Sequence, residues 1–289
     1  MVQLTQNIPS YLLKVIISTF TQLIILLGPI VLLALFMSIV SRQNEKLSYL
    51  VLGQKGYLYL FGWLGTAVHE IGHAFFAILF GHKIDEIVLF SPDLVNGSLG
   101  HVRHSYNPNS IYQNIGNFFI GIGPVIFGSL ILFLISSILF GFNLKNINLT
   151  EFNSDSFSSI SSFKDIAANI LDNISNYFRY LFSGPGTALW KILLMIYLLY
   201  SIGSSITLSP SDIQGAFTGF LFFVFVLFAF NLATIWMGNF TVKAFYAANN
   251  YFSILYFLIL LSLIINIIFI FVLILVHYIK LMIMSNFVK

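Results

Sequence analysis

Long apolar runs separated by short polar segments dominate this chain. The runs cover residues 11–40, 57–81, 111–140, 181–207, 213–237 and 252–281. A helix needs about 20 apolar residues to cross a bilayer, so each run is long enough for one membrane span. The pattern therefore predicts an all-α integral membrane protein with about six transmembrane helices.

Two stretches depart from this pattern. Residues 83–106 hold two short runs with partial polar and apolar alternation on either side of Asn96-Gly97, a pattern typical of a β-hairpin. Residues 141–176 are rich in Ser, Asn and Asp, and we interpret them as a polar extramembrane loop with a short helix near residues 163–174. No soluble module stands out, so we expect a single polytopic membrane domain over residues 1–289.

Composition agrees with a lipid environment and narrows the chemistry. Hydrophobic residues make up 58% of the chain and charged residues 8%, with a mean hydropathy of +0.93. The net charge of +3 is thinly spread, so we expect the lipid bilayer and no nucleic acid as a partner. The chain has no cysteine, so any transition metal must be held by nitrogen and oxygen ligands. The first apolar run is too long for a signal-peptide core and is interpreted as a retained span.

One apolar run contains the clearest candidate for chemistry. Residues 57–81 include His69-Glu70-Ile71-Gly72-His73, a His-Glu-x-x-His motif. Two histidines four residues apart lie on one face of a helix and can share a metal ion, while Glu70 lies one residue round, within reach of a metal-bound water. The motif predicts two zinc ligands, His69 and His73, and a catalytic base, Glu70.

Acidic residues indicate where a third ligand lies. Of the ten acidic residues, only Glu70 and Asp212 fall outside the polar connections between the runs. A charge near the bilayer centre costs at least about 2.5 to 3.5 kcal/mol, so such residues are usually functional. Catalytic zinc commonly has two histidines, one carboxylate and an open position for water, and Asp212 completes that set for one Zn²⁺ per chain. The alternative role for Asp212 is to cap the helix that follows it.

The remaining histidines have simpler explanations. His101 and His104 in the hairpin are further candidate ligands, but polar residues at a membrane interface are the commoner explanation. His82 and His277 lie at the ends of apolar runs and are interpreted in the same way.

The motifs together resemble the site-2 protease family of intramembrane zinc metalloproteases. The resemblance rests on the zinc motif, the hairpin, Gly121-Ile122-Gly123-Pro124 and Ser209-Pro210-Ser211-Asp212, and it covers about residues 57–237. It implies a catalytic core over those residues, in which His69, His73 and Asp212 bind zinc and Glu70 is the general base. It also implies that the strand-like segment pairs with an unwound substrate helix and that the Gly-Pro element packs near the site.

The match to this family is uneven. Many members place the aspartate in an Asn-x-x-Pro-x-x-Asp-Gly or Leu-Asp-Gly setting, whereas here Gly215 follows three residues after Asp212. The chain therefore resembles a divergent branch, and it has no room for a PDZ domain.

The resemblance implies the reaction and its setting. We expect hydrolysis of peptide bonds in membrane-embedded or membrane-anchored protein substrates, in a cytoplasmic membrane of bacterial type with the active site towards the cytoplasm. An ion- or proton-coupled transporter using the same side chains is the alternative; paired broken helices would support it, and the sequence has one such break. A membrane oxidase or desaturase with iron would need more histidine clusters. The substrate-binding residues and the oligomeric state stay unknown.

Overall fold

The computed structural model describes residues 8–92, 99–141, 160–184, 187–237 and 240–287. The helices in these ranges are α1 (Ile8–Leu52), α2 (Gln54–Tyr57), α3 (Trp63–Leu79), α4 (Ile111–Phe140), α5 (Ile160–Ser183), α6 (Leu189–Ser201), α7 (Pro210–Thr234) and α8 (Phe240–Phe287). The strands are β1 (Lys83–Val88) and β2 (His101–Ser105). A π-helical turn, Leu58–Gly62, joins α2 to α3, and 3₁₀ turns follow α6 at Gly203–Ser205 and α7 at Ile235–Met237.

The protein is an integral membrane protein. Four helical segments of the described chain are long and apolar enough to cross a membrane: Ile8–Leu52, Ile111–Phe140, Pro210–Met237 and Tyr251–Ser285. The other two predicted spans are not among these four segments. The run at 57–81 holds the π-helical turn and the 17 residues of α3, and the run at 181–207 holds the end of α5 and the 13 residues of α6. The count of six spans is therefore not confirmed.

Helices α3, α4 and α7 pack with their backbones in contact. A Cβ atom at Gly72 of α3 would lie 2.8 Å from Pro124 Cα of α4, and one at Gly121 of α4 would lie 2.5 Å from Ala216 Cβ of α7. Side chains larger than hydrogen do not fit at either position. Small residues are the usual means of close helix approach in membranes, where dispersion contacts and not water exclusion hold helices together.

Buried amides attach α1 to the rest of the bundle. Asn44 of α1 donates to the main-chain and side-chain oxygens of Asn266 on α8, both at 3.0 Å. Further towards the start of α1, the Asn231 amide of α7 donates to Thr19 Oγ1 at 2.9 Å and to Gln22 Oε1 at 2.8 Å. Each group would be costly to bury without a partner, so these contacts fix the position of α1 against α7 and α8.

The β-hairpin is present as predicted. Strand β1 pairs antiparallel with β2 from Lys83 opposite Ser105 to Val88 opposite His101, with a bulge between Ile84 and Glu86. The predicted turn at Asn96-Gly97 lies outside the described residues. The hairpin follows α3 directly, so the structure places it beside the motif helix.

The helix predicted inside the polar loop is longer than expected. It was expected near residues 163–174, but α5 extends to Ser183. Its last two turns carry Tyr177 and Leu181, which are 1% and 3% exposed and pack in the apolar core. Burial of this end explains the extension, because packing of an apolar face stabilises helices more than local propensity does.

Candidate active site

Both motif histidines are anchored through the same ring nitrogen. His69 Nδ1 lies 2.8 Å from the main-chain oxygen of Ser205, and His73 Nδ1 lies 2.8 Å from that of Ile120. A carbonyl oxygen only accepts hydrogen bonds, so Nδ1 of each neutral ring carries the proton. The lone pair of each ring is therefore on Nε2.

The two lone pairs converge on a carboxylate. His69 Nε2 and His73 Nε2 are 3.2 Å apart, and His73 Nε2 lies 3.3 Å from Asp212 Oδ1. The distance from His69 Nε2 to Asp212 Oδ2 is 3.8 Å. Acceptor atoms this close repel one another unless a cation or proton lies between them. The arrangement can hold a metal ion.

The donor set fits zinc. Within the part of the chain that the structure describes, His69, His73 and Asp212 are the one group of three such side chains whose ligand atoms all lie within 4.8 Å of one another. Two nitrogens that are each about 2.1 Å from a tetrahedral zinc ion are about 3.4 Å apart, close to the spacing of the two Nε2 atoms. The second nitrogen of each imidazole bonds a carbonyl, which is the usual way in which metal-binding histidines are oriented.

Asp212 helps to cap α7 and also faces the two motif histidines, so both alternatives that the sequence left open fit its position. Ser209 caps α7, and its Oγ accepts from the Asp212 N–H at 3.1 Å while Asp212 Oδ2 accepts from the Ser209 N–H at 2.9 Å. This reciprocal pair is a capping box, with Pro210 at the start of the helix. Asp212 Oδ1 faces His73 at the same time. Capping and facing His73 are therefore compatible, because they use different oxygens of Asp212.

Close helix packing brings these groups together. A Cβ atom at Gly121 would lie 2.6 Å from the Asp212 main-chain oxygen, so α4 and the first turn of α7 are in direct contact. The same segment of α4 supplies the Ile120 carbonyl to His73. The 3₁₀ turn after α6 supplies the Ser205 carbonyl to His69. Groups from three elements thus orient the two histidines of α3.

Glu70 lies in the same cavity as the three candidate ligands. The cavity has a volume of about 640 Å³ and is lined by α1, α3, α4, α7 and residues of the hairpin. The Glu70 side chain is buried, with 8% of the residue exposed, and its Cγ would lie 2.9 Å from a Cβ atom at Gly100. Glu70 is not one of the three grouped ligand residues. The Glu70 carboxylate is therefore available for a role other than metal binding.

Comparison with known protein families gives one match. Residues 30–138 match a family model described as Peptidase M50B-like. The match supports a site-2 protease-like family. It includes the zinc motif, the hairpin and most of α4, and it ends before Asp212. No curated protein and no solved structure matches the chain.

The family match covers fewer than half of the residues of the chain and supports the resemblance seen in the sequence. The roles of His69, Glu70, His73 and Asp212 stay predictions, although the structure brings these residues into one cavity.

The other histidines lie apart from the metal-binding group. His82 is 5% exposed and therefore buried within the protein. Its Nε2 donates to the Gln113 main-chain oxygen at 2.8 Å, and its ring stacks on Tyr106 with centroids 5.0 Å apart. His104 Nδ1 lies 3.0 Å from His82 Nδ1. Burial lowers the pKa of His82 and of His104, and for His104 the neighbouring His82 lowers it further.

His101 lines the cavity, with its Nε2 3.2 Å from Glu86 Oε2. Neither His101 nor His104 belongs to a group of three ligands among the described residues.

Several residues that line the cavity or orient its side chains are not predicted by the sequence. The carbonyls of Ser205 and Ile120 that bond the histidines are main-chain groups. Because every residue has such a carbonyl, the sequence does not indicate which ones take part. Glu45 of α1 also lines the cavity, although its sequence position suggested only a polar connection. Asn117 of α4 does have a signal, because it is an amide inside an apolar run, one helical turn before Gly121.

Proposed function

We propose that this protein is an intramembrane zinc metalloprotease that hydrolyses peptide bonds of membrane-embedded or membrane-anchored proteins. The observation that carries the proposal is the convergence of two imidazole Nε2 atoms and the Asp212 carboxylate in one cavity, with Glu70 beside them. The match to a Peptidase M50B-like model over the motif helix supports the same activity.

His69, His73 and Asp212 would hold one zinc ion, which when bound lowers the pKa of a water towards 7 and polarises a peptide carbonyl. Glu70 accepts a proton from the attacking water as the water oxygen bonds to the carbonyl carbon. The carbon–nitrogen bond then breaks, and Glu70 gives the proton to the leaving amine. Ser205 and Ile120 keep both imidazoles in the Nδ1-protonated form throughout.

The position of the hairpin beside the cavity favours a peptide as the substrate. Leu99, Gly100 and His101, at the start of β2, line the cavity beside Glu70. An extended peptide can add to a strand edge through main-chain hydrogen bonds, whereas an intact helix is about 10–12 Å wide with its side chains. We infer that the substrate enters the cavity as an unwound segment.

The topology proposed with this function has six spans. The π-helical turn with α3, and α6 with its 3₁₀ turn, would be the two short ones, and both expose apolar side chains that can face lipid. We place the site towards the cytoplasm of a bacterial-type membrane. A reporter fused between residues 142 and 159 should then be active only when it is the kind that works outside the cytoplasm; cytoplasmic reporter activity would reverse the topology.

Replacement of the proposed base tests the function most directly. Glu70→Gln keeps the side-chain volume and removes the proton acceptor, so cleavage of a helical membrane substrate should fall to background while zinc stays at about one ion per chain. Glu86→Gln, in the exposed part of the hairpin, is the matched control and should cleave normally. Cleavage at the wild-type rate by Glu70→Gln would show that another group is the base.

A further inference from the structure

Asn117 lies on the face of α4 that borders the cavity. The residues of α4 that line the cavity are Asn117, Ile120 and Gly121. Positions three and four apart share one face of a helix, so these residues form a single stripe. The Ile120 carbonyl bonds His73, and Asn117 is three residues earlier, about 4.5 Å along the helix axis. Asn117 and the candidate metal ligands therefore border the same cavity.

This amide has no partner in the described part of the protein. Asn117 is 8% exposed, and none of the hydrogen bonds of the described residues involves its side chain. Asn114, one turn earlier and 4% exposed, instead donates to the main-chain oxygens of Pro108 at 2.6 Å and Ser110 at 2.8 Å. Buried polar groups are nearly always paired, because an unpaired one costs free energy. The amide atoms of Asn117 are not among the fully enclosed side-chain atoms of the described residues, so they are open to the cavity, where a bound molecule can pair with them.

We propose that Asn117 is a substrate-binding residue whose side-chain amide hydrogen-bonds the main chain of the substrate next to the bond that is cleaved. The inference rests on the proposed function and names one residue of its substrate site. Unwinding a helix inside a membrane leaves main-chain N–H and C=O groups without partners, each at a cost of several kcal/mol. An asparagine amide offers both a donor and an acceptor, so it can pair with either group.

The location of Asn117 fits this role better than a role in folding. The buried Asn44, Asn231 and Asn266 each donate to a neighbouring helix and hold elements together. The Asn117 side chain joins no two elements of the described structure. It borders the space that a bound segment would fill, on a different wall from the hairpin residues that line the same cavity. A substrate segment in the cavity would therefore lie between β2 and Asn117.

The test compares two neighbouring asparagines. The variants are Asn117→Leu, which removes the amide at similar volume, Asn117→Ser, which keeps a small donor, and Asn114→Leu as the control. The probe is a labelled Leu- and Ala-rich peptide of about 20 apolar residues with a glycine-rich centre, long enough to cross a bilayer. The measurements are thermal unfolding, zinc content, kcat/KM, and binding of the peptide to each variant combined with Glu70→Gln.

We expect opposite results at the two positions. Asn117→Leu should unfold at or above the wild-type temperature and keep its zinc, while kcat/KM falls about 10- to 100-fold and peptide binding weakens. Asn117→Ser should lie between this variant and the wild type. Asn114→Leu should unfold at a lower temperature and keep the wild-type kcat/KM when it is folded.

Two outcomes would overturn the inference. In the first, Asn117→Leu binds and cleaves the peptide like the wild type. In the second, it loses zinc or stability in proportion to activity, which would make Asn117 a structural residue. If the wild-type protein does not cleave the peptide at all, the proposed function fails, and peptide binding together with thermal unfolding still decides the role of Asn117.

Discussion

Two pairs of histidines in this protein have nearly the same nitrogen–nitrogen spacing and different chemistry. In the cavity, His69 Nε2 and His73 Nε2 are 3.2 Å apart. At the base of the hairpin, His82 Nδ1 and His104 Nδ1 are 3.0 Å apart. Spacing alone would make both pairs equal candidates for a metal.

The remaining ring nitrogens separate the two pairs. His69 and His73 both donate to carbonyls, so neither can donate to the other. In the second pair only His82 bonds a carbonyl, that of Gln113, which leaves His104 Nδ1 free to donate to His82. The second pair is therefore a complete neutral hydrogen bond, whereas the first needs a cation or an additional proton. The partner of the second nitrogen is the better guide to a metal site.

Removal of single histidines should give the largest measured difference between the two pairs. His69→Ala or His73→Ala removes one of three protein ligands, so zinc should fall from about one ion per chain to near zero and cleavage should be lost. His82→Ala and His104→Ala are the matched controls and should keep the metal. The measurement is metal analysis of purified protein. Unchanged zinc in the His69 or His73 variant would end the ligand assignment.

The two contacts of Asp212 can be separated by a second pair of variants. Asp212→Asn removes the charge but keeps an oxygen for the Ser209 N–H, so zinc affinity should fall by about 10-fold or more with little change in the unfolding temperature of the metal-free protein. Ser209→Ala removes the helix cap at a cost of about 1 kcal/mol and should keep the zinc. Calorimetric titration with zinc and thermal unfolding measure the two effects. Equal zinc affinity in Asp212→Asn and the wild type would leave Asp212 only the capping role.

The hairpin pair should affect only the pH dependence of stability, which is the smallest of the expected effects. The folded state lowers the pKa of both His82 and His104, whereas in the unfolded chain they take up protons near pH 6.5. Protons therefore favour unfolding, and the stability that the pair contributes is present above about pH 6.5 and decreases below it.

His104→Gln should reduce the fall in unfolding temperature between about pH 7 and about pH 5 in metal-free protein. His277→Gln on α8 is the control. A variant with the same pH dependence as the wild type would show that the pair does not titrate on unfolding.

Local patterns in the sequence predicted the parts of the site that are local in the structure. The His-Glu-x-x-His spacing predicted that His69 and His73 share a helix face, and the alternation after it predicted the hairpin. The cost of a charge in lipid identified Asp212, a residue 139 positions after His73.

What the sequence did not predict depends on contacts between distant elements. Nothing in the chain marks the Ser205 or Ile120 carbonyls, because every residue has a carbonyl. Asn117 and Asn231 are both asparagines inside apolar runs, and only the structure distinguishes the unpaired one from the one bonded to α1. The apolar pattern over 181–207 predicts one span, although Gly184-Pro185-Gly186 near its start is unfavourable for a continuous helix.

The π-helical turn at Leu58–Gly62 determines how far α3 is rotated about the helix axis relative to α2. Such turns contain one residue more than an α-helix would need, and each α-helical residue advances the chain by about 100° and about 1.5 Å. Deleting a single residue there would let α2 and α3 merge into one uninterrupted helix. The zinc motif would keep its place in α3, but Tyr57, which now borders the cavity, would rotate to another side of the rod. A one-residue deletion could thus reshape one wall of the cavity without altering any of the proposed ligands.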